Sequence, residues 1–174
     1  MTAELEITHS PVPAGAHSIE RVAARAVVRR GEHLLMLRSR HGDYKFPGGG
    51  LEEGETAVEA LRRELREECG LEEASIGPLV LRAVEISAAR EPGAVFRMTS
   101  LYYRVTALAE AAAAQELDDY ERELELLPTW VTPGAARSAN RHLLDTAESA
   151  VRADLPWLER EAKVLDLLEP GRER

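Results

Sequence analysis

Glutamate is concentrated in residues 49–71, which read GGLEEGETAVEALRRELREECGL. Seven of these 23 residues are glutamates, and three arginines accompany them. Like charges one turn apart destabilise a helix by about a few tenths of a kcal/mol per pair, so this density of carboxylates needs a physical reason. Magnesium prefers oxygen ligands, and a carboxylate cluster beside a glycine-rich loop is what a site for magnesium and phosphate requires.

The apolar residues of this segment predict a helix over residues 56–69, because they recur at spacings of three and four: Val58, Leu61, Leu65 and Cys69. Gly70 follows at the place where a helix-ending glycine is expected. On the helical wheel Glu64 lies about 40° from Glu68 and about 60° from Glu67. One face of the helix is therefore expected to enter a core, while the adjoining face presents three carboxylates.

An exposed helix whose charges pair in solvent is the alternative interpretation, and it is the more common use of an acidic helix. The full spacing favours a specific site, since nine positions over 23 residues match the Nudix box: Gly49, Glu55, Arg63-Glu64-Leu65, Glu67-Glu68 and Gly70-Leu71. The chain therefore resembles the Nudix hydrolases. A weaker resemblance extends over residues 20–132.

The resemblance implies an α/β fold, namely a Nudix-type α/β/α sandwich with a mixed β-sheet, to which extra C-terminal helices are added. It also implies a loop–helix–loop metal site for Mg²⁺, with Mn²⁺ as a possible substitute. The main metal ligands are then Glu64, Glu67 and Glu68, with the carbonyl of Gly49 as a further ligand. Glu55 and Arg63 become structural residues that pair with each other.

The implied reaction is the magnesium-dependent hydrolysis of a pyrophosphate bond in a small nucleoside-diphosphate derivative, such as a nucleotide sugar, ADP-ribose or a nucleoside triphosphate. Because a pyrophosphate is anionic, metal ions are needed to neutralise it and to acidify the attacking water. A nearby carboxylate accepts the proton of that water. Glu64, Glu68 and Glu121 are the catalytic candidates, with Glu116 and Glu123 as alternatives from the loop of Glu121.

Substrate-binding candidates flank the glycine loop. Arg38 and Arg40 precede the loop and could bind phosphate bidentately, although a role as surface charges is equally expected. Arg25, in the first predicted strand of the core, is a weaker candidate of the same kind. Tyr44 and Phe46 could stack on a base, with packing in the core as the alternative.

The remaining aromatic and sulfur-containing residues fit structural roles better. Tyr102 and Tyr103 are expected to pack in the sheet, whereas Tyr120 lies in a polar segment and is the stronger candidate for stacking on a base. Trp157 is expected to dock a helix on the core, as is Trp130. Cys69 falls on the apolar stripe of the helix and is expected to be a buried small hydrophobe.

Two other functions are compatible with such a fold. A non-catalytic Nudix-fold nucleotide-binding sensor is the main alternative, and the complete set Glu64, Glu67 and Glu68 argues against it. Isoprenyl-diphosphate isomerisation needs a reactive cysteine in the pocket, and the single cysteine here lies on the apolar side of the helix. Within the hydrolases, the residues after the box do not single out a substrate.

The pattern along the chain predicts one domain with three parts: an N-terminal arm or loop (residues 1–18), a Nudix core (19–132) and a C-terminal helical extension that packs on the core (133–170). Strands are predicted at residues 22–30, 33–40, 75–87, 95–107 and 129–131, with a hairpin between the first two. Residues 109–128 fit either a helix or a loop with a short helical piece. Two helices are predicted after residue 133, the first continuing to Val151.

The composition limits the partners. A net charge of −9 argues against binding to long nucleic acids or anionic membranes, which requires a basic face. No segment has the length and apolarity of a membrane span or the pattern of a signal peptide, so a cytoplasmic protein is expected. A homodimer through the terminal helices is possible.

Overall fold

The computed structural model describes residues 2–108 and 114–168. Seven strands and five helices are present in these ranges. In chain order they are β1 (Ala3–Thr8), β2 (His17–Arg30), β3 (His33–Arg38), β4 (Tyr44–Lys45), α1 (Ala57–Cys69), β5 (Ala74–Ala88), β6 (Ala94–Ala107), α2 (Asp119–Glu123), β7 (Leu127–Val131), α3 (Pro133–Thr146), α4 (Ser149–Asp154) and α5 (Leu158–Leu167).

The strands form one mixed sheet in the order β1-β5-β6-β2-β3-β4, and β7 also pairs with β3. β1 runs parallel to β5 and β2 runs parallel to β6, whereas the other pairs are antiparallel. The predicted α/β class and mixed sheet are therefore confirmed. The predicted hairpin is present, since Arg30 pairs with His33 and Gly31 adopts the positive φ of 57° that a tight turn needs.

Two apolar layers cover the two faces of the sheet, because alternate residues of a strand point to opposite sides. Along β3, Leu35 and Leu37 face a layer that contains Leu61 and Leu65 of α1. The intervening Leu34 and Met36 face a second layer, which contains residues of α3 and α5. Helices thus lie on both sides of the sheet: α1 packs in the first layer, and the helices after residue 133 contribute residues to both layers.

Helix α1 begins and ends where its sequence indicates. Thr56 is the N-cap, and it exchanges hydrogen bonds with Glu59 in a capping box. Gly70 ends the helix in the left-handed conformation at φ 64°, from which its N–H bonds back to the last turn. These two caps fix the register of the helix and hence the direction of each glutamate along it.

Three parts of the chain differ from the sequence-based expectation. Residues 3–8, expected as arm or loop, form β1 because alternating apolar residues let them pair with β5. The helix predicted to continue to Val151 breaks at Ala147, which is extended, so that α3 and α4 are separate. In residues 109–128 a short helix, α2, is present near the end, while residues 109–113 lie outside the described ranges. No described helix is long and apolar enough to cross a membrane.

Candidate metal site and its pocket

The glycine loop before α1 is pinned to the central strand β2. The Ala24 N–H donates to the Gly49 carbonyl at 3.0 Å, and the Ala26 N–H donates to the Pro47 carbonyl at 2.8 Å. Gly48 is required here, since it has a φ of 126° and an added Cβ would lie 2.1 Å from the Ala24 carbonyl oxygen. The loop backbone therefore lies directly against the sheet and beside the first turns of α1.

Gly49 makes room for a carboxylate. A Cβ at Gly49 would lie 2.3 Å from Glu64 Oε1, so the Glu64 carboxylate occupies the space that a larger residue would fill. Glu64 is half-buried and accepts a hydrogen bond of 2.8 Å from Arg63 Nη1. The loop and the helix thus bring the Glu64 carboxylate against the backbone of Gly49.

Glu68 lies one turn further along α1 and is completely buried. Its Oε2 accepts a hydrogen bond of 2.5 Å from the Gly48 N–H. Its Oε1 lies 2.9 Å from Lys45 Nζ, but this contact lacks the alignment of a hydrogen bond, so Oε1 has no hydrogen-bond donor. The Lys45 ammonium gives this oxygen an ion-pair partner, and the lone pairs that the ammonium does not use can accept a further cation.

A third carboxylate, that of Glu121, joins this pair from a different part of the chain. Oxygen atoms of Glu64, Glu68 and Glu121 all lie within 4.8 Å of one another, close enough to ligate one ion. Glu121 is oriented by a capping box at the start of α2, in which its Oε2 accepts from the Asp118 N–H at 3.1 Å. The donor set consists of oxygen atoms only, which suits a hard divalent cation.

Arg63 organises the acidic residues around this group. Its Nε and Nη2 donate to the two oxygens of Glu55, each at 3.0 Å, in a bidentate pair. Its Nη1 also reaches Glu67 Oε2 at 3.2 Å. The predicted partners Glu55 and Arg63 therefore do lie together, whereas the carboxylate of Glu67 is drawn to Arg63, at the rim of the group formed by Glu64, Glu68 and Glu121.

The surroundings raise the pKa of two carboxylates of α1, those of Glu64 and Glu68. Burial raises the pKa of Glu64, although the hydrogen bond from Arg63 opposes this shift. Burial raises the pKa of Glu68 to about 8, against the attraction of Lys45 and with a further contribution from the charge of Glu64. The fold therefore holds two carboxylates in a place where their ionised forms need an additional positive charge.

A cavity of about 460 Å³ opens beside the carboxylates of Glu64 and Glu121, whereas the buried Glu68 is not part of its lining. The lining includes the Gly48–Gly50 loop, five glutamates, and two buried arginines, Arg25 and Arg160. Glu116 of the preceding loop is one of these glutamates, and Glu123 is not. The cavity thus combines acidic groups with fixed positive charge.

The two arginines are held in different ways. Arg25 Nη1 donates to the Gly48 carbonyl, and its buried Nε has no hydrogen-bond partner. Arg160, on α5, donates to Glu85 at 2.6 Å, to Glu161 at 2.9 Å and to the Tyr102 hydroxyl at 3.0 Å. Arg160 is therefore fixed by a buried network, while Arg25 retains an unused donor.

Aromatic side chains line another part of the cavity. Tyr120 and Trp157 make an edge-to-face contact with ring centroids 6.1 Å apart. The Trp157 indole N–H donates to Asp43 Oδ2 at 2.7 Å, which fixes its ring, while Tyr120 is 42% exposed. The expectation that Tyr120 lies near a ligand site agrees with this placement.

The structure does not bring the four predicted substrate-binding residues to this cavity. Arg38 and Arg40 are exposed at the end of β3 and beyond it, and Tyr44 is half-buried beside Asn140 of α3. Phe46 differs most clearly from its predicted role in substrate binding. Its ring is fully buried against Tyr102, 5.4 Å between centroids, because this position of the loop faces the second apolar layer.

Sequence reasoning missed Lys45, Trp157 and Arg160 as parts of the site. Lys45 lies between Tyr44 and Phe46, and Trp157 was expected to dock a helix on the core, but nothing in the local pattern shows that both side chains face the same cavity. Arg160 comes from α5, about 90 residues after α1 in the chain. Its sequence signal is a charged residue one turn before the apolar Val164 on the same side of the helix.

Comparisons with known proteins indicate the family of the chain. The model of the NUDIX domain matches residues 19–153. An RNA pyrophosphohydrolase of Psychrobacter sp. (strain PRwf-1) is 36% identical over 75 residues, which are 43% of this chain and 39% of that protein. An RNA pyrophosphohydrolase of Legionella pneumophila is 51% identical over 39 residues, 22% of each chain. The chain thus spans about two fifths or less of the length of these curated relatives.

A solved structure extends the likeness to most of the fold. The dihydroneopterin triphosphate pyrophosphohydrolase of E. coli superposes with a TM-score of 0.53 and 17% identity, over 84% of this chain and 93% of that one. At this identity the likeness concerns the fold alone. The family model, in contrast, covers more than half of the chain and includes the whole glycine loop and α1. The chain belongs to the NUDIX domain family.

Proposed function

We propose that the chain is a hydrolase that cleaves a pyrophosphate bond in a small nucleoside-diphosphate derivative, with Mg²⁺ as its cofactor. The observation that carries the proposal is the convergence of Glu64, Glu68 and Glu121 within 4.8 Å, where Glu64 and Glu121 line the same cavity as Arg25 and Arg160. The family membership and the pyrophosphohydrolases among the relatives support the same class of reaction. A hydrolase of this kind requires both a cation site and positive charge for the substrate phosphates.

The residues present fit a divalent cation. Glu64 and Glu68 would hold it, because one is seated against Gly49 and the other has a buried oxygen without a donor. The Gly49 carbonyl can add a ligand, since it accepts only the Ala24 N–H. Glu67 can join by leaving Arg63, which retains Glu55 as its partner. When bound, the cation would neutralise phosphate charge and lower the pKa of a water molecule.

Glu121 is the residue that we assign as the proton acceptor. It lies within reach of the same site but is carried by α2, outside the helix that supplies Glu64 and Glu68. Its capping box orients the carboxylate through a backbone N–H, and the nearby charge of Lys45 lies farther from it, at 3.8 Å, than from Glu68, at 2.9 Å. A base that is not itself a main ligand keeps a lone pair available for the proton of the attacking water.

Arg25 and Arg160 take the place of Arg38 and Arg40 as the proposed phosphate-binding residues. Arginine pairs with phosphate oxygens through several N–H groups at once, and Arg25 Nε is a buried donor that lacks a partner. Tyr120 and Trp157 are the proposed contacts for a base or another planar group. A cavity of about 460 Å³ suits a small nucleotide derivative.

An RNA 5′ end is the competing substrate class, because the curated relatives are RNA pyrophosphohydrolases. Their likeness to this chain covers 39 to 75 residues and therefore leaves most of their length uncompared. The net charge of −9 opposes binding of the RNA body. Both facts favour a small substrate.

A release assay tests the proposal. The purified protein is incubated with Mg²⁺ or Mn²⁺ and a panel of nucleotide sugars, ADP-ribose, nucleoside triphosphates, dinucleoside polyphosphates and 5′-triphosphorylated RNA, and the products are separated by chromatography. We expect metal-dependent cleavage of at least one small compound at a pyrophosphate bond. Nucleotide binding without any turnover would instead favour the non-catalytic sensor, and cleavage of the RNA alone would contradict the assigned substrate class.

A further inference from the structure

Lys45 places a positive charge inside the carboxylate group. Its side chain is 8% exposed, and its Nζ lies 2.9 Å from Glu68 Oε1 and 3.8 Å from Glu121 Oε1. The same ammonium lies 5.4 Å from the centre of the Trp157 ring, a distance that permits a cation–π contact. Three groups thus surround the Lys45 charge, and two of them belong to the proposed metal site.

The fold fixes Lys45 in this place. Lys45 is the second residue of β4 and pairs with Leu37 of β3. The preceding residue, Tyr44, is clamped through its backbone by Asn140 of α3, with hydrogen bonds of 2.8 Å to both its N–H and its carbonyl. The lysine stem therefore enters the site from a rigid part of the sheet.

The residue type is informative as well. The chain contains two lysines and 20 arginines, and Lys45 is the buried one of the two lysines. An ammonium is a compact point charge, whereas a guanidinium is a planar fork that needs more space. A compact charge fits between neighbouring carboxylates in less space than an arginine would need.

The charges of the group suggest what this lysine does. Among the described residues, Lys45 is the cation that lies within 4.0 Å of both Glu68 and Glu121, whereas Glu64 pairs with Arg63 at 2.8 Å. The ammonium therefore lies between two of the three oxygen donors that could otherwise share a second cation. We propose that the Lys45 ammonium takes the place of a second divalent cation beside Glu68 and Glu121, so that this carboxylate group binds one ion where the carboxylates alone would bind two. This inference rests on the proposed metal site.

Counting bound ions tests the proposal without any substrate. Mn²⁺ alone is titrated into the protein, and the free ion is measured by electron paramagnetic resonance. We expect one tightly bound Mn²⁺ per wild-type chain and two per chain for Lys45→Met. Lys163→Met is the matched control, because Lys163 is exposed and pairs with Glu159 on α5. The control is expected to bind one ion, as the wild type does.

The outcomes separate this inference from the proposed function. One ion bound by both the wild type and a folded Lys45→Met variant would overturn the role of Lys45 and leave the metal site intact. No ion bound by the wild type would overturn both. If circular dichroism shows that Lys45→Met is unfolded, Lys45→Gln serves in its place with the same expectation, since its amide can donate to Glu68.

A measurement on the wild-type chain does not depend on any variant at position 45. With two lysines, protein labelled with ¹⁵N-lysine gives two Nζ signals, which Lys163→Met assigns. We expect the Lys45 Nζ signal to stay protected from exchange with water after saturation with Mg²⁺, because the ammonium keeps its place beside the ion. Loss of this protection on adding Mg²⁺ would overturn the proposal.

Discussion

Glutamates of the same helix and loop have different surroundings in the folded chain. Glu68 is buried beside Lys45, Glu64 is seated against Gly49, and Glu55 forms a bidentate pair with Arg63. Glu53, by contrast, is exposed. Substitutions of single glutamates by glutamine, which keep the shape of the side chain and remove its charge, can therefore separate metal binding, proton transfer and stability from one another.

Glu121→Gln and Glu64→Gln are expected to affect activity in different ways. If Glu121 accepts the proton, its loss should lower kcat by about 10²-fold or more, as removal of a general base does. Glu64→Gln should weaken Mn²⁺ binding more than Glu121→Gln does, because it removes a main ligand. Steady-state kinetics and Mn²⁺ titration measure the two effects, with Glu53→Gln as the control that should change neither. Equal loss of Mn²⁺ binding in both variants would make Glu121 a ligand instead of a base.

The pair of Glu55 and Arg63 should make stability depend on pH in acid. The hydrogen bond from Arg63 lowers the pKa of Glu55 below the usual 4.5 of a glutamate. Since the pKa is lower in the folded state, the stabilisation is present above about pH 4.5 and is lost as the pH falls through the folded-state pKa. Urea unfolding should therefore show a smaller loss of free energy between pH 6 and pH 3 in Glu55→Gln than in the wild type. Parallel losses in the two proteins would contradict the assignment.

Among the elements, the glycine loop and α1 form the unit that positions the site. Gly48 and Gly49 serve different purposes in it. An added Cβ meets the backbone of β2 at Gly48 but the end of the Glu64 side chain at Gly49. The contact at Gly48 concerns folding, whereas the contact at Gly49 concerns the proposed metal site.

Alanine at the two positions should separate these purposes. Gly48→Ala places a Cβ against the backbone of β2 at a residue with positive φ. Gly54→Ala is the control, because alanine has space there and the strain of a positive φ alone costs about 1 to 2 kcal/mol. We expect Gly48→Ala to destabilise the protein several times more than Gly54→Ala. Gly49→Ala should keep most of the stability but displace the Glu64 carboxylate and lower Mn²⁺ affinity. Thermal unfolding and Mn²⁺ titration check both. A Gly49→Ala variant with wild-type Mn²⁺ affinity would contradict the seating of Glu64.

Local elements could be predicted from the sequence because their signals are local. The apolar spacing of α1, its caps at Thr56 and Gly70 and the turn at Gly31 all lie within a few residues of the structure they determine. The same holds for the box glutamates, whose spacing places them on one side of the helix. β1 was missed because six alternating residues are a weak signal on their own, and the β5 strand that pairs with them lies 78 residues further along the chain (Ala3 pairs with Leu81).

At the scale of the whole molecule, the C-terminal helices complete the site. α5 supplies Arg160 and stands next to Trp157, and both residues line the cavity in front of α1. Arg38 and Arg40 seemed better candidates because they are near the glycine loop in sequence. In the folded chain Arg38 and Arg40 are exposed outside the cavity, and Arg160 of α5 lines it instead. The spacing of residues along the sequence could not show this contact between distant parts of the chain.

Arg160 should also contribute to stability. Arg160→Met would leave the carboxylates of Glu85 and Glu161 buried without their cation. Breaking a buried ion pair in this way costs about 3 to 5 kcal/mol. Urea unfolding at neutral pH should show a loss of this size, while Arg152→Met, at an exposed position on α4, should change stability by about 0.5 kcal/mol or less. A loss below about 1 kcal/mol for Arg160→Met would contradict the network's structural role.

The central claim is that a divalent cation binds between α1 and α2. The most direct test is a crystal of the wild-type protein soaked in Mn²⁺, with anomalous diffraction to locate the ion. The account predicts an anomalous peak among the carboxylates of Glu64, Glu68 and Glu121, next to the Gly49 carbonyl and with Lys45 still in place. A fully soaked crystal without a peak at this position, or with its only strong peak elsewhere, would contradict the account.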